Sequence, residues 1–288
     1  MKADHKASAL KVTNSLERAL ALLELLHHVP GGLTNGEISR RLRIPTSTCS
    51  YITSRLERRG YLHRDSNTHC FKIGLSALAL AYGALRELGF RAVAEPVLYR
   101  VAGETRLSAG IGVLEQGMVL LVDRIESPAF VRSVVEPGEG KNQGSRERTR
   151  DQRDIGRQMP AHTTALGKVL LAGLPEQELL HFLDEHTLTP STHKTIVSKP
   201  KLLRELEAVR RQGYATADEE LYPGVRALAV PILDAMKTVK AAISLNGNCN
   251  LAAWEDMQAL LGKVEEAARE ISIGLAETGP RPQFSSIY

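Results

Sequence analysis

The stretch from Thr34 to Ile73, TNGEISRRLRIPTSTCSYITSRLERRGYLHRDSNTHCFKI, constrains this chain more than any other. Thr34 and Glu37 have capping-box spacing, so a first helix can satisfy its own leading N–H groups, with Ile38 and Leu42 on one face. Arg43-Ile44-Pro45 interrupts it, because the residue before a proline is pushed out of the helical region. A second helix is predicted over about Thr46 to Arg58, where Cys49, Ile52 and Leu56 recur at spacings of three and four as a buried stripe. Gly60 ends it. Tyr61–Arg64 and His69–Ile73 then alternate around the turn Asp65-Ser66-Asn67-Thr68, which is a hairpin of the kind called a wing.

The face opposite the stripe carries Ser47, Ser50, Tyr51, Ser54, Arg55 and Arg58, and no acidic residue occurs between Thr46 and Leu56. Hydroxyls can bond phosphates or base edges, and arginine fits the guanine edge with two hydrogen bonds. Helix, turn, polar helix and hairpin make a winged helix-turn-helix, whose second helix lies in the DNA major groove. Candidate DNA contacts are Thr46, Ser47, Thr48, Ser50, Tyr51 and Arg55. Arg40, Arg41, Arg43, Arg64 and Lys72 are candidates for phosphates or the minor groove. A plain helical hairpin with a solvated face is the alternative, and these arginines weigh against it.

Charge is distributed accordingly. The 288-residue chain has a net charge of +4, yet residues 1–90 hold 13 Lys and Arg against 7 Asp and Glu, while residues 91–288 hold 24 against 26. A basic module joined to a neutral one fits nucleic-acid binding coupled to another task. The length is expected to hold two domains. No apolar run is long enough to span a membrane and no signal core follows the charged start, so a soluble, cytoplasmic protein is expected. Cys49, Cys70 and Cys249 lack metal spacing, and their odd number argues against a disulfide framework. No cofactor motif is present.

The expected organisation is a flexible start (1–13), the winged helix-turn-helix (14–74), a connecting helix (75–90), a second domain (91–278) with a polar, charged insertion at 139–158, and a tail (279–288). Asn14 and Glu17 open a helix with the stripe Leu16, Ala19, Leu20, Leu23 and Leu26. The apolar Gly74–Phe90 segment reads as a connecting helix that packs on something such as a second subunit; a simple interdomain spacer is the alternative. Further on, Ala92–Arg106 reads as a helix; Leu107–Leu114, Met118–Ile125 and Val131–Val135 read as strands. Helices are predicted over Thr163–Gly173, Pro175–Glu185 and Pro200–Gln212, the last capped by Ser198. Strands follow at Tyr214–Asp218, Arg226–Ile232 and Val239–Leu245, then one long helix over Leu251–Glu277 that buries Leu260, Leu261, Val264, Ala268, Ile271 and Leu275. Interleaved helices and hairpins predict an α+β fold with a mainly antiparallel sheet.

The second domain shows no metal signature: His181, His186 and His193 do not share a helical face and read as surface residues. Its most suggestive segment is Pro160-Ala161-His162-Thr163-Thr164-Ala165-Leu166-Gly167-Lys168. Small residues there leave a helix N-terminus open to an anion, and Gly167 admits a close neighbouring strand. An ordinary capped helix is the equal alternative. A catalytic trio of His162, Thr163 and Asp218 can be written down, but hydroxyls at a helix start are normally caps.

Taken together these residues resemble the IclR family of bacterial transcriptional regulators over roughly residues 14–277. The likeness rests on Gly36-Glu37-Ile38-Ser39, Ile44-Pro45-Thr46-Ser47-Thr48, Gly60-Tyr61 and Phe71-Lys72-Ile73-Gly74. It continues through Leu121-Val122-Asp123-Arg124-Ile125-Glu126-Ser127, Pro160–Ala172, Asp218-Glu219-Glu220 and Gly224-Val225-Arg226. The resemblance implies a winged-helix domain joined by a helix to a GAF/PAS-like effector-binding domain, assembled as a homodimer or homotetramer. It implies a repressor or activator of a metabolic operon that answers to a small, carboxylic or aromatic effector. The implied effector-binding residues are Met159, His162, Thr164, Ala165, Leu166, Gly167, Ala217, Asp218, Ala227, Ser244 and Asn246. In members that bind very small oxo-acids, an aspartate and a cysteine fall on Ala217 and Ala227 and a serine on Asn246; only Ser244 is retained. That departure suggests a larger or less polar effector. The alternative class is a GAF-like small-molecule enzyme with an appended DNA-binding module.

Overall fold

The computed structural model describes residues 14–29, 31–127, 155–249 and 252–277. These form two compact units that divide between Glu87 and Leu88.

The first unit contains α1 (Ser15–His27), α2 (Asn35–Leu42), α3 (Thr46–Arg58), β1 (Leu62–Arg64), β2 (Phe71–Ile73) and α4 (Ser76–Glu87). Asn14 Oδ1 accepts the Glu17 N–H at 2.9 Å and starts α1. The Thr34–Glu37 box is complete: Thr34 N–H donates to Glu37 Oε2 at 2.8 Å, and Glu37 N–H to Thr34 Oγ1 at 3.4 Å. Arg43 ends α2 in the left-handed region, with φ of 54°. The core joins Leu22 and Leu26 of α1 to Leu33, Ile38, Ile44, Cys49, Ile52, Leu62 and Phe71. Truncating one of the fully buried leucines to alanine would cost about 2–5 kcal/mol. In the wing, Leu62 pairs with Ile73 and Arg64 with Phe71. The Asp65 carboxylate closes its turn by accepting the N–H groups of Asn67 and Thr68, each at 3.0 Å.

Two expectations about this unit need correction. In α1 the buried positions are Leu22 and Leu26, whereas Leu16 and Leu20 are exposed. Six leucines lie around that helix, and spacing alone took in Leu16 and Leu20 and missed Leu22, while Leu26 is buried and Ala19 and Leu23 pack on the core as expected. The connecting helix is shorter than expected, Ser76–Glu87, and buries none of its residues.

The second unit contains α5 (Arg91–Thr105), β3 (Ser108–Glu115), β4 (Met118–Ile125), β5 (Gln158–Pro160), a 3-10 turn (Ala161–Thr163), α6 (Ala165–Ala172), α7 (Glu176–Glu185) and α8 (Lys199–Gln212). It closes with β6 (Ala215–Asp218), β7 (Val225–Leu233), β8 (Val239–Asn248), α9 (Trp254–Ala259) and α10 (Leu261–Glu277). The six strands run in the order β5-β4-β3-β8-β7-β6, and every neighbouring pair is antiparallel. Helices α5 and α10 cover one face of the sheet, and α6 the other. Leu179, Phe182 and Leu183 of α7 and Leu202, Leu206 and Val209 of α8 join the core around α6. This is an α+β domain.

Several boundaries differ from the sequence reading. The expected single C-terminal helix is two, α9 and α10, separated at Leu260. Val264, Ala268 and Ile271 are buried as expected, while Leu260, Leu261 and Leu275 are half-buried. Ser198 occupies the cap position of α8 without a side-chain hydrogen bond, and Lys199-Pro200 supplies the helical start instead. Strand β5 and the 3-10 turn were not foreseen, because three residues are too few to show a period. The expected strand Val131–Val135 and most of the 139–158 insertion lie outside the described residues, as do 1–13 and 279–288.

Candidate nucleic-acid interface and ligand pocket

Helix α3 turns Cys49, Ile52 and Thr53 inward. Thr53 satisfies its own hydroxyl by donating to the Cys49 carbonyl at 3.0 Å. Thr46, Ser47, Ser50, Tyr51, Ser54, Arg55 and Arg58 are therefore left on the exposed side, with Thr48 half-buried. The Arg55 guanidinium lies 5.1 Å from the centre of the Tyr51 ring, a cation–π pair that holds both side chains ready together. The cap residue is Pro45, and the first turn carries no acid. The helix thus points its positive end and a row of hydroxyls outward.

The supporting charges divide into two kinds. Arg40, Arg41 and Arg43 are exposed at the end of α2, and Arg64 reaches over the Phe71 ring at 5.5 Å. Lys72 differs from expectation: its Nζ is 2.9 Å from Asp65 Oδ2, so its charge is engaged within the wing. The hydrogen bonds from Thr68, Lys72 and Asn67 hold the Asp65 carboxyl far below the usual carboxylate range. Sequence reasoning missed Asn35, whose side-chain Nδ2 donates to Ser50 Oγ at 2.5 Å.

In the second unit the pocket candidates converge on one face of the sheet. Ala217 pairs with Ala227, Ala227 with Asn246, and Asn246 with Ser108. The next row of that face is Ala215, Ala229, Ser244 and Gly110. Helix α6 lies over the following rows: a Cβ on Gly112 would meet Leu166 Cδ1 at 3.3 Å, and one on Gly173 would meet Val239 Cγ2 at 2.5 Å. The helix therefore runs towards Val239, and its N-terminal end points along β8 towards Ser244 and Asn246. Small side chains in front of a helix start make a ligand-sized recess when something covers it. Ser244 Oγ accepts from Asn246 Nδ2 at 3.0 Å, so this polar pair is already arranged. Arg124 and Glu126 of the same face form an ion pair at 3.2 Å.

The helix start is built differently from the expectation. Thr164 is its cap and accepts the Gly167 N–H at 2.9 Å. Gly167 makes room for the preceding turn and not for a strand, since a Cβ there would lie 2.0 Å from the Ala161 carbonyl oxygen. Met159, His162, Thr164, Ala165 and Leu166 are all buried around it. His162 Nε2 lies 3.1 Å from the Thr189 carbonyl, and burial lowers its pKa below the ordinary value. Asp218 does not join this face. It follows Ala217 by one residue, so its carboxylate emerges on the other side, 2.7 Å from Arg226 Nε and 2.9 Å from Lys194 Nζ.

The catalytic trio is not assembled. Thr163 Oγ1 donates to the Pro160 carbonyl, His162 faces Thr189, and Asp218 pairs with two cations. His186 also departs from a plain surface residue: it stacks on Phe182, with ring centroids 4.7 Å apart, beneath the turn at Gly117. Among the described residues no cluster of His, Cys, Asp and Glu could hold a metal ion. Nor, among these residues, is any helix long and apolar enough to cross a membrane.

A feature that the sequence reading passed over lies one turn into α6. Lys168 is 1% exposed, and its Nζ donates to Glu220 Oε1 at 2.7 Å, Glu205 Oε1 at 3.1 Å and the Thr216 carbonyl at 3.0 Å. The signal was a single lysine inside the otherwise apolar run ALGKVLLA, a charge that must be paired if buried. Burial pushes the Glu220 carboxyl up, with Lys168 acting against that rise. Thr192 and Thr195 donate to the carbonyls of Glu219 and Glu220 at 2.7 and 2.6 Å, so the β6–β7 loop is held from both sides.

A winged helix-turn-helix, joined in one chain to an α+β unit that sets small side chains and a polar pair before a helix start, has the make-up of a DNA-binding transcription regulator with a sensing domain. Residues 15–66 match the IclR helix-turn-helix domain, and residues 140–273 match the bacterial transcriptional regulator IclR C-terminal domain. The HTH-type transcriptional regulator BhcR of Paracoccus denitrificans is 32% identical over 262 residues, covering 91% of this chain and 87% of BhcR. The crystal structure of the Thermotoga maritima IclR aligns with a TM-score of 0.67 at 25% identity, over 91% of this chain and 98% of that one. An IclR homolog of Microbacterium hydrocarbonoxydans, crystallised with 4-hydroxybenzoate, shares the fold with a TM-score of 0.73 at 23% identity, over 91% of this chain and 99% of that one. The chain belongs to the IclR family of transcription regulators, which is not a family of enzymes.

Proposed function

We propose that this protein regulates a metabolic operon as a symmetric dimer or dimer of dimers, and that a small organic molecule bound to the second unit controls it. The observation that carries the DNA half is the outward face of α3: hydroxyls, the Tyr51–Arg55 pair and no acid between Thr46 and Leu56. Arg55 and Tyr51 read base edges, with Ser47 and Ser50 beside them. Arg40, Arg41, Arg43 and Arg64 bind the phosphate backbone; Lys72 contributes less, being paired with Asp65. Two protomers present two such helices to successive major-groove segments, so the operator is near-palindromic. The exposed apolar residues Leu78, Leu80 and Tyr82 of α4 support pairing through that helix.

The effector occupies the recess before α6, against the row Ala217–Ala227–Asn246 and Ser244. Alanines on two of these strands leave width and little polarity, which supports an effector larger or less polar than a two- or three-carbon oxo-acid. The Microbacterium homolog's 4-hydroxybenzoate is an aromatic acid of suitable size. Ser244 and Asn246 supply hydrogen bonds, and Arg124 the cation that a carboxylate needs. The protein acts in the cytoplasm.

The test is binding of the purified chain to DNA upstream of its own gene, titrated against salt and scrambled duplex. Protection of a near-palindrome, held below micromolar and weakening with salt, is expected. Pooled aromatic and carboxylic acids then report the effector through a change in that affinity. Equal binding to every duplex, with and without the pools, would defeat the proposal. Tight binding of glyoxylate or pyruvate would defeat the assignment of effector class.

A further inference from the structure

We infer that Asn35 is a positioning residue for DNA reading: its side-chain amide fixes Ser50 of α3 as a hydrogen-bond donor. The base preference opposite Ser50 therefore depends on a residue of α2. This rests on the proposed contact between Ser50 and a base edge.

A serine hydroxyl can donate or accept, so on its own it discriminates poorly among base edges. Asn35 removes that ambiguity. It occupies the first position of α2, and its Nδ2, which can only donate, lies 2.5 Å from Ser50 Oγ. Ser50 Oγ must accept there, so its own proton turns elsewhere. Among the described residues no acceptor takes that proton, and Ser50 is exposed. What it can reach is an acceptor from outside the protein: guanine O6 or N7, adenine N7 or thymine O4.

The amide is also held firmly. Asn35 Oδ1 is buried with no hydrogen-bond partner, and the Asn35 carbonyl accepts from Cys49 Sγ of α3 at 3.5 Å. The capping box of Thr34 and Glu37 fixes the backbone on either side. A buried acceptor without a partner is costly to the free protein, and such costs collect where function needs a particular geometry. Two bonds between α2 and α3 thus meet at Asn35, one to Ser50 and one from Cys49.

The experiment selects binding sites for the full chain from a randomised duplex pool, for the wild type and for Ser50→Ala, Asn35→Ala and Asn35→Asp. Anisotropy titrations on single-base variants of the selected site then follow. Ratios between base pairs are read, because the new charge of Asn35→Asp weakens binding to every sequence alike. Ser50→Ala and Asn35→Ala should each flatten the preference at one base pair per half-site by about three- to tenfold, the reach of one neutral hydrogen bond. In Asn35→Asp the carboxylate accepts the Ser50 proton and leaves only lone pairs outward. The preferred base should then shift to one that presents a donor, cytosine or adenine. If both Asn35 variants keep the wild-type preference at the position that Ser50→Ala flattens, the inference is wrong and the Ser50 contact stands. If Ser50→Ala changes no position, or weakens all sequences equally, the base contact itself falls and the inference with it. Should Asn35→Asp fail to fold, Asn35→Ala alone decides.

Discussion

Arg55 and His162 carry opposite kinds of chemistry on their respective units, one exposed and charged, the other enclosed. Arg55→Ala should cost about 1–3 kcal/mol of operator binding and relax specificity at one position. Anisotropy on single-base variants checks this, and equal weakening on all sequences would reassign Arg55 to the phosphate backbone. His162 predicts a pH effect on stability. Burial, with His186 nearby, lowers its pKa from the ordinary 6.5, so the unfolded chain takes up the proton first. Its contribution is present above that value and is lost as pH falls below it. Thermal unfolding of His162→Gln should therefore approach that of the wild type as pH drops from about 8 to about 5. A gap that stays constant would show that His162 carries no such linkage. At this scale the sequence was informative about outward residues and less so about their partners. The α3 hydroxyls could be read from periodicity, but the Lys72–Asp65 and Asn35–Ser50 contacts join residues whose distance depends on the folded turn.

Helix α6 shows how an element can be legible in outline and hidden in its energetics. Its segment was readable as a small-residue helix start, yet the tight fit of Gly167 against Ala161 depends on a 3-10 turn that has no sequence period. The fourth residue of the helix, Lys168, joins α6 to Glu205 of α8 and to Glu220 in the β6–β7 loop. Lys168→Met leaves the Glu220 carboxylate buried without its cation, and should cost about 3–5 kcal/mol in urea unfolding. Removing the second charge as well, in Lys168→Met with Glu220→Leu, should recover much of that loss, because two apolar groups replace a desolvated pair. No recovery in the double variant would mean that Lys168 acts chiefly through Glu205 and Thr216. Strand register was similarly inaccessible from the sequence: β6, β7 and β8 were foretold as strands, but only their pairing puts Ala217, Ala227 and Asn246 in one row and turns Asp218 away.

For the whole molecule, the charge asymmetry read from the sequence matches the division between a basic winged-helix unit and an acidic-leaning second unit. The class of protein was therefore readable early, whereas the extent of α4 and its lack of any buried residue were not. An apolar helix that buries nothing in its own chain calls for a partner surface. Leu78→Glu on the full chain should shift sedimentation from dimer towards monomer and weaken operator binding together. A dimer that persists unchanged would place the pairing surface elsewhere.

If protomers pair as proposed, the bare face of α4 would tie gene control to dosage. Where protomers are scarce relative to their dimer dissociation constant, the concentration of the DNA-competent species rises with the square of the protomer concentration. A twofold change in synthesis then becomes a change of about fourfold in the species that searches the genome. Under the proposed pairing and effector control, the switch would be graded by effector and also sharpened by copy number, through residues that touch neither.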